Sequence, residues 1–268
     1  MKSSITTQTK SFLTKGLMPS LLATAILSLS AASPALADGD KEKSPHIFPP
    51  QSHLAKAPHG QGIVPLDAKL HGKTYSEWSA KWWEWFMEFP VQDKNGNPLP
   101  HPTFDDPNFD VRNHQDGDVW FLGETHPITI RTCDIPHGKF LFVALHTAEA
   151  SNLEGLGNTE AEQRETAEWF ADHIVGSFFE IDGHPVADIE SYRVASPQFK
   201  FKAPTPWIFG ATGGKGTSVG DGYYVMLEPL PRGQHTIHYG GSFHFSIAEG
   251  DPFDLELPAD TTYHLNVK

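Results

Sequence analysis

The stretch GDVWFLGETHPITIRTCDIPHGKFLFVALH, residues 117–146, contains three short runs of β-branched and aromatic residues. The runs cover 118–122, 128–133 and 139–146, and Gly, Pro and Asp residues bound them, as is typical of strands joined by turns. The segment CDIPHG at 133–138 is the predicted turn between the second and third runs. This part of the chain therefore predicts β-structure.

Runs of the same kind continue to the C terminus, where Asp182-Gly183 is typical of a hairpin turn and Gly-rich 210–222 predicts a loop. About ten strands at this spacing predict a mainly β domain, a two-sheet antiparallel sandwich that is jelly-roll-like. The further predicted strands are 177–181, 189–195, 198–201, 223–228, 234–239, 242–247 and 261–267.

An amphipathic helix is predicted before these strands, in TYSEWSAKWWEWFMEF at 74–89. Thr74 and Glu77 form a capping box at its start, and Pro90 ends it. Aromatic residues spaced three and four apart lie on one face, opposite a charged stripe of Glu and Lys. The aromatic face consists of Tyr75, Trp78, Trp82, Trp85 and Phe89.

Two interpretations of this aromatic face are open. The rings fill the core as the helix docks on a sheet, with Trp83 or Phe86 at an edge, because burying them removes a large apolar area from water. Alternatively, the rings are exposed and stack on sugars or insert into a partner.

A second helix is predicted over 160–175, with Thr159 and Glu162 as its capping box and Gly176 as its stop.

The N-terminal residues 1–37 have the three parts of an export signal. Basic residues come first, an apolar run over 16–29 follows, and Ala35-Leu36-Ala37 supplies a cleavage pattern, so cleavage is predicted after Ala37. We expect a secreted or periplasmic protein with no transmembrane segment in the mature chain. Residues 38–70 predict a Pro-rich flexible linker, and 71–268 form the β-sandwich domain.

The charge and the cysteine content exclude several classes of protein. The formal net charge is -13, and the export signal carries none of the acidic residues, so the mature chain repels nucleic acid and acidic lipid. Cys133 is the only cysteine and cannot form an intramolecular disulfide; we expect it to be a buried small apolar group. The sequence contains none of the motifs that mark common nucleotide enzymes or serine esterases.

Several segments together resemble a family of secreted, mainly bacterial proteins of unassigned function. The family has a Trp-rich N-terminal helix, here YSEWSAKWWEWF, and a C-terminal G-x-H-x-I-H segment. The resemblance implies a secreted β-sandwich domain and no particular activity. It also implies a second cysteine near Asn113 in relatives, so a disulfide of that kind is absent here. The similar segments are 72–86, 117–125, 131–145, 181–199 and 221–241.

The first candidate site is the segment 146–154, predicted to be a short loop at a sheet edge. His146, Glu149 and Glu154 supply an imidazole and two carboxylates, which suit a divalent cation. The same groups suit acid–base chemistry in glycosidic cleavage or elimination. The alternative is a polar connection that caps the following helix.

The second candidate is a metal site formed by His238, His244 and His264. His235 and His238 are separated by an odd number of positions in one strand, so they face opposite sides and bind no common ion. His238 instead meets His244 or His264 across strands. The alternative is a set of half-buried histidines with hydrogen-bonded rings.

The third candidate is Tyr192-Arg193 together with Arg131. A guanidinium binds a carboxylated sugar through two parallel hydrogen bonds, which would complete a catalytic set with the carboxylates of the first candidate. The alternative is an arginine that forms a structural ion pair.

These features favour binding of an extracellular carbohydrate or cell-surface polymer. One alternative is a metal-assisted hydrolase or lyase that acts on such a polymer, with a divalent cation as its cofactor. The other is a structural domain or one that binds another protein. An exposed row of rings in the folded chain would support the first function, and burial of every tryptophan would contradict it.

Overall fold

The computed structural model describes residues 62–103, 109–126 and 128–268. The predicted export signal and most of the predicted linker lie outside these residues. Helix α1 covers Tyr75–Met87 and helix α2 covers Glu160–Ala171. The strands are β1 Val119–Leu122, β2 Ile128–Ile135, β3 Phe140–Ser151, β4 Ile174–Ile181, β5 His184–Pro185, β6 Arg193–Ala195, β7 Phe199–Ala203, β8 Gly214–Leu227, β9 Gly233–Phe245 and β10 Leu255–Val267.

The strands form two five-stranded sheets that pack as a sandwich, which confirms the predicted fold class. The first sheet has the order β1-β3-β8-β6, with β7 also paired to β8, and the second has the order β2-β10-β9-β4-β5. Each sheet contains one parallel pair, β1 with β3 and β2 with β10, so the sheets are mixed rather than wholly antiparallel. The parallel pair β1–β3 arises because the chain crosses to the second sheet to form β2 before it returns. Strand β3 then enters the first sheet beside β1 and runs in the same direction.

Helix α1 forms where its capping box and aromatic spacing predict it, and it packs on the side of the first sheet that faces away from the second sheet. Thr74 caps it, and Trp82 is fully buried, with its indole N–H donating to the Leu122 carbonyl at 2.9 Å. The expected edge position of Trp83 or Phe86 is wrong, because both are 3% exposed. Trp83 donates to the Tyr224 hydroxyl at 2.9 Å, and the Phe86 ring lies 4.8 Å from the ring of His101.

Helix α2 is shorter than predicted. Its capping box is present, but it ends at Ala171 and strand β4 begins at Ile174, which pairs with Phe243 of β9. Gly176 has a positive φ at an irregularity within β4 and does not stop the helix. The pairing of β4 with β9 therefore ends the helix before Gly176, the residue that was predicted to stop it.

The Gly-rich segment predicted as a loop forms most of strand β8. Its glycines stand where neighbouring groups leave no room for a side chain: a Cβ on Gly220 would lie 2.2 Å from Trp83 Nε1, and one on Gly216 would lie 2.6 Å from the Phe201 ring. Glycine here marks a close approach between the sheet and the aromatic residues above it.

Replacing Gly220 with alanine is expected to lower the free energy of unfolding by about 1–3 kcal/mol, the usual cost of overpacking a core. The Trp83 indole would have to leave its place against β8. Chemical denaturation of the variant measures the change. Gly123→Ala is the matched control, because its Cβ would meet its nearest neighbour at 3.4 Å. Equal stability of the two variants would show that Trp83 moves aside freely.

Residues before the predicted boundary at 71 also pack against the domain. Val64 is 8% exposed, and its backbone N–H donates to the Met226 carbonyl at 2.9 Å. The Tyr75 hydroxyl donates to the Val64 carbonyl at 2.6 Å, so this segment joins α1 to β8. Among the residues that the structure describes, no helix is long and apolar enough to cross a membrane.

Candidate functional site

His146 lies in the middle of β3 rather than on the predicted loop. Its ring is fully buried and packs against Phe243 of β9, with 4.9 Å between the ring centroids. Glu124 and His126 come from the connection between β1 and β2, and they are 6% and 7% exposed. Glu124, His126 and His146, which we name the Glu124 cluster, therefore meet in the interior between the two sheets.

The contacts within the Glu124 cluster are close but longer than hydrogen bonds. His126 Nε2 is 3.7 Å from Glu124 Oε1, and His146 Nδ1 is 3.7 Å from Glu124 Oε2. On its other side, His126 Nδ1 is 3.0 Å from the Pro258 carbonyl oxygen. The Thr147 backbone N–H donates to Glu124 Oε2 at 3.2 Å. The carboxylate thus lies between two imidazoles.

Burial has different results for the two imidazoles. It lowers the pKa of His146 to about 4, so this ring is neutral at pH 7. Burial also lowers the pKa of His126, but the Glu124 carboxylate outweighs it and the net shift is upward. Neither ring nitrogen of His146 forms a hydrogen bond of normal geometry among the described residues. Such a buried group is costly and marks a position where a ligand or water completes the contacts.

Glu149 and Glu154 form a second buried group at the end of β3. Glu149 is 7% exposed and accepts a hydrogen bond from Ser218 Oγ, and its carboxyl group also contacts that of Glu154. Ser151 Oγ donates to Glu154 Oε2 at 2.6 Å. Burial, and then the neighbouring Glu154, raises the pKa of Glu149 well above its ordinary value, and burial also raises the pKa of Glu154. The pair therefore keeps a proton to a higher pH than free carboxyls do.

Arg193 forms ion pairs within the chain. Its guanidinium donates to both oxygens of Asp221, at 3.1 and 2.9 Å, and to Asp172 at 2.7 Å. Tyr192 precedes it in a short 3₁₀ turn, with its ring 6.4 Å from that of Tyr75. The buried Arg131 donates to the Pro102 carbonyl and to the Tyr263 hydroxyl. Arg193 therefore forms the structural ion pair that was the alternative to a sugar-binding role, and Arg131 is likewise held by partners within the chain.

The structure does not bring the five predicted catalytic residues together. The pairing of β3 with β8 is regular from His146 to Ser151, so His146 and Glu149 point to opposite faces of the first sheet. His146 faces the second sheet, whereas Glu149 contacts Ser218 on the side of α1. Arg193 and Tyr192 are held by other contacts, so no single cleft contains all five side chains.

The three predicted metal ligands share one face of the second sheet but do not gather. His238 and His244 are six positions apart on β9, a separation of about 20 Å along a strand. His238 contacts Asp260 at 2.8 Å and Glu180 at 3.4 Å. His264 contacts the Thr236 hydroxyl at 3.3 Å. Contact with Glu256 raises the pKa of His244.

Within the described ranges, no three His, Cys, Asp or Glu side chains stand in position to hold a metal ion as the structure is. The predicted interpretation of the C-terminal histidines as hydrogen-bonded rings agrees with their contacts.

Cys133 is half-buried, and burial raises the pKa of its thiol to about 12, so it is protonated at neutral pH.

The solvent-exposed side of the second sheet, which we name the outer face, is polar and four strands wide. Strand β10 pairs with β2 and β9, and β9 pairs with β4. The registers of these pairs place the side chains of the outer face on the same side of the sheet. Its strongly exposed apolar side chains among the described residues are Ile128 and Ile130, each 62% exposed, and Val175, which pairs with Ser242 and is 46% exposed. Its other members are Thr132, Glu180, Thr236, His238, Ser242, His244, Glu256, Asp260, Thr262 and His264.

The exposed row of rings that sugar stacking requires is not formed. Five of the seven tryptophans are buried, namely Trp82, Trp83, Trp85, Trp120 and Trp207. Trp78 and Trp169 are half-buried at separate helices. The aromatic face of α1 therefore fills the core, and the outer face contains no tryptophan.

Sequence reasoning missed two residues of the Glu124 cluster. Glu124 and His126 stand in E-T-H, directly after a predicted strand and 20 residues before His146. A carboxylate and an imidazole two positions apart at a strand end are a signal of paired ligands. Their meeting with His146 depends on the pairing of β1 with β3, which the sequence pattern does not show.

The chain matches no protein-family model, no curated protein and no solved structure. The resemblance to a family of secreted bacterial proteins therefore stays a prediction.

Proposed function

We propose that this chain is an exported binding domain whose outer face takes a neutral, hydroxyl-rich extracellular polymer such as a polysaccharide. The observation that carries this proposal is the row of imidazole–carboxylate contacts across the outer face. His238 contacts two carboxylates, and His244 contacts Glu256 at 2.5 Å. These contacts hold the acceptor groups in fixed positions at the surface.

Carboxylate, imidazole and hydroxyl groups are the partners that sugar hydroxyls need. A carboxylate accepts up to four hydrogen bonds, so Asp260 and Glu256 keep acceptor capacity beyond their histidine contacts. Side chains on a strand repeat every two residues, about 7 Å, which gives an extended polymer equally spaced contacts. Ile128 and Ile130 beside them offer an apolar surface for the faces of sugar rings.

The charge of the protein selects the class of polymer. A net charge of -13 and the carboxylates of the outer face repel polyanions. Stacking on tryptophan does not contribute, since the outer face contains no tryptophan. A neutral polymer bound through hydrogen bonds is the ligand that these groups suit best.

Co-sedimentation with insoluble chitin, cellulose and starch tests the proposal. We expect the protein to sediment with at least one polymer, and the double variant His238→Ala, Asp260→Asn to lose at least nine tenths of the bound fraction. Glu165→Gln, on the exposed side of α2, is the control and should bind as the unchanged protein does. Binding by the double variant at the unchanged level, or no binding to any polymer, would contradict the proposal.

A further inference from the structure

We propose that the Glu124 cluster is a binding site for one divalent first-row transition metal ion, with Glu124, His126 and His146 as its ligands. Two imidazoles and a carboxylate are a donor set that suits Zn²⁺ and its neighbours. The site lies between the sheets and is separate from the outer face, so it does not depend on the proposed polymer binding.

The distances within the cluster fit an ion better than they fit direct contacts. The two nitrogen–oxygen separations are both 3.7 Å, too long for hydrogen bonds. Ligand atoms that lie about 2.1 Å from one tetrahedral ion are roughly 3.4 Å apart. Each nitrogen–oxygen pair is therefore within a few tenths of an ångström of the spacing that two ligands of one ion would have.

The hydrogen bonds around the cluster also point its lone pairs inward. If His126 Nδ1–H donates to the Pro258 carbonyl, the Nε2 of the neutral ring carries a lone pair toward Glu124. A backbone carbonyl on the outer nitrogen of a metal-bound histidine is a common orienting contact. A lone pair that faces a carboxylate repels it unless a proton or a metal cation lies between the two.

His146 supplies the independent observation. Its side chain is fully buried, and neither ring nitrogen forms a hydrogen bond of normal geometry among the described residues, where the ring has only weaker contacts with the backbone at Leu145 and Leu257. A ring nitrogen that ligates an ion would no longer lack a partner. Since the cost of a buried polar group without a partner is high, the native protein is expected to fill this position.

The present side-chain positions do not yet enclose an ion. The contact from His126 runs to Oε1 and that from His146 runs to Oε2, so the two imidazoles approach different oxygens. A carboxylate that binds through both oxygens, with a small rotation of the His146 ring, brings all three side chains to one ion.

Metal analysis of the mature protein with Zn²⁺ as the probe tests the site. After incubation with Zn²⁺ and gel filtration, we expect one equivalent of bound zinc and a melting temperature that falls on chelation. Glu124→Gln should keep less than one tenth of the zinc. The control His238→Ala, His244→Ala removes two of the three histidines of the outer face and should keep all of the zinc.

A spectroscopic measurement on the unchanged protein tests the site even if the Glu124→Gln variant does not fold. X-ray absorption at the zinc edge should show two imidazoles and oxygen ligands. No stoichiometric zinc, zinc coordinated by a single imidazole, or loss of zinc in the outer-face control with retention in Glu124→Gln would overturn the proposal.

Discussion

Replacing Trp82 with alanine is expected to lower the free energy of unfolding by about 4 kcal/mol, within the usual range for a fully buried tryptophan. The indole is 0% exposed and stacks on Phe86, with 4.9 Å between the ring centroids. Its N–H donates to the Leu122 carbonyl, which would lose its partner. Denaturation by urea, followed by circular dichroism, measures the change.

Trp78→Ala is the matched control on the same helix. Trp78 is half-buried, and its indole N–H donates to the Leu70 carbonyl at the edge of the domain. We expect this variant to lose less than half as much stability as Trp82→Ala. Equal losses would show that the aromatic face of α1 does not form the centre of the core as the structure has it.

The second large effect is expected from Glu149→Gln, and it depends on pH. The folded protein holds the proton of Glu149 more tightly than the unfolded chain does, because burial raises its pKa. Stability from this group is therefore present below pH 4.5 and is lost as the pH rises. Glutamine keeps the shape and does not ionise, so the variant should be more stable at pH 8 by about 1–3 kcal/mol, the usual cost of an unsatisfied buried polar group.

At pH 4 the variant and the unchanged protein should be equally stable, since Glu149 is then protonated in both states. Glu165→Gln removes a carboxylate from an exposed position and should show no such difference between the two pH values. Chemical denaturation at pH 4 and pH 8 gives all the values. A loss of stability in Glu149→Gln at pH 8, with no change at pH 4, would mean that the carboxylate is needed in its ionised form and would contradict the prediction.

The elements with strong local patterns were predictable. The capping boxes at Thr74 and Thr159 begin the two helices where the sequence placed them. The hairpin turn at Asp182-Gly183 has both residues at positive φ, as that dipeptide indicates. Each of these patterns acts within a few residues, so no distant contact is needed to establish it.

The candidate site was less predictable, because it depends on which strands are neighbours. His146 was singled out from the sequence, but Glu124 and His126 were not, and they reach it only through the parallel pairing of β1 with β3. The carboxylates of Glu149 and Glu154 were assigned to the same site, yet an odd number of positions in a regular strand places Glu149 on the opposite face.

The sequence by itself determined the class of fold and the positions of both helix starts, and it favoured burial of the aromatic face of α1 over an exposed stacking surface. These follow from periodicity, capping and the free energy of removing aromatic surface from water. Only the tertiary structure decided that Gly-rich 214–222 is a strand, since the reason lies in Trp83 and Phe201, which are distant in sequence. It also decided which polar side chains meet: contacts between sheets depend on the order of the strands, and no local pattern of residues encodes that order.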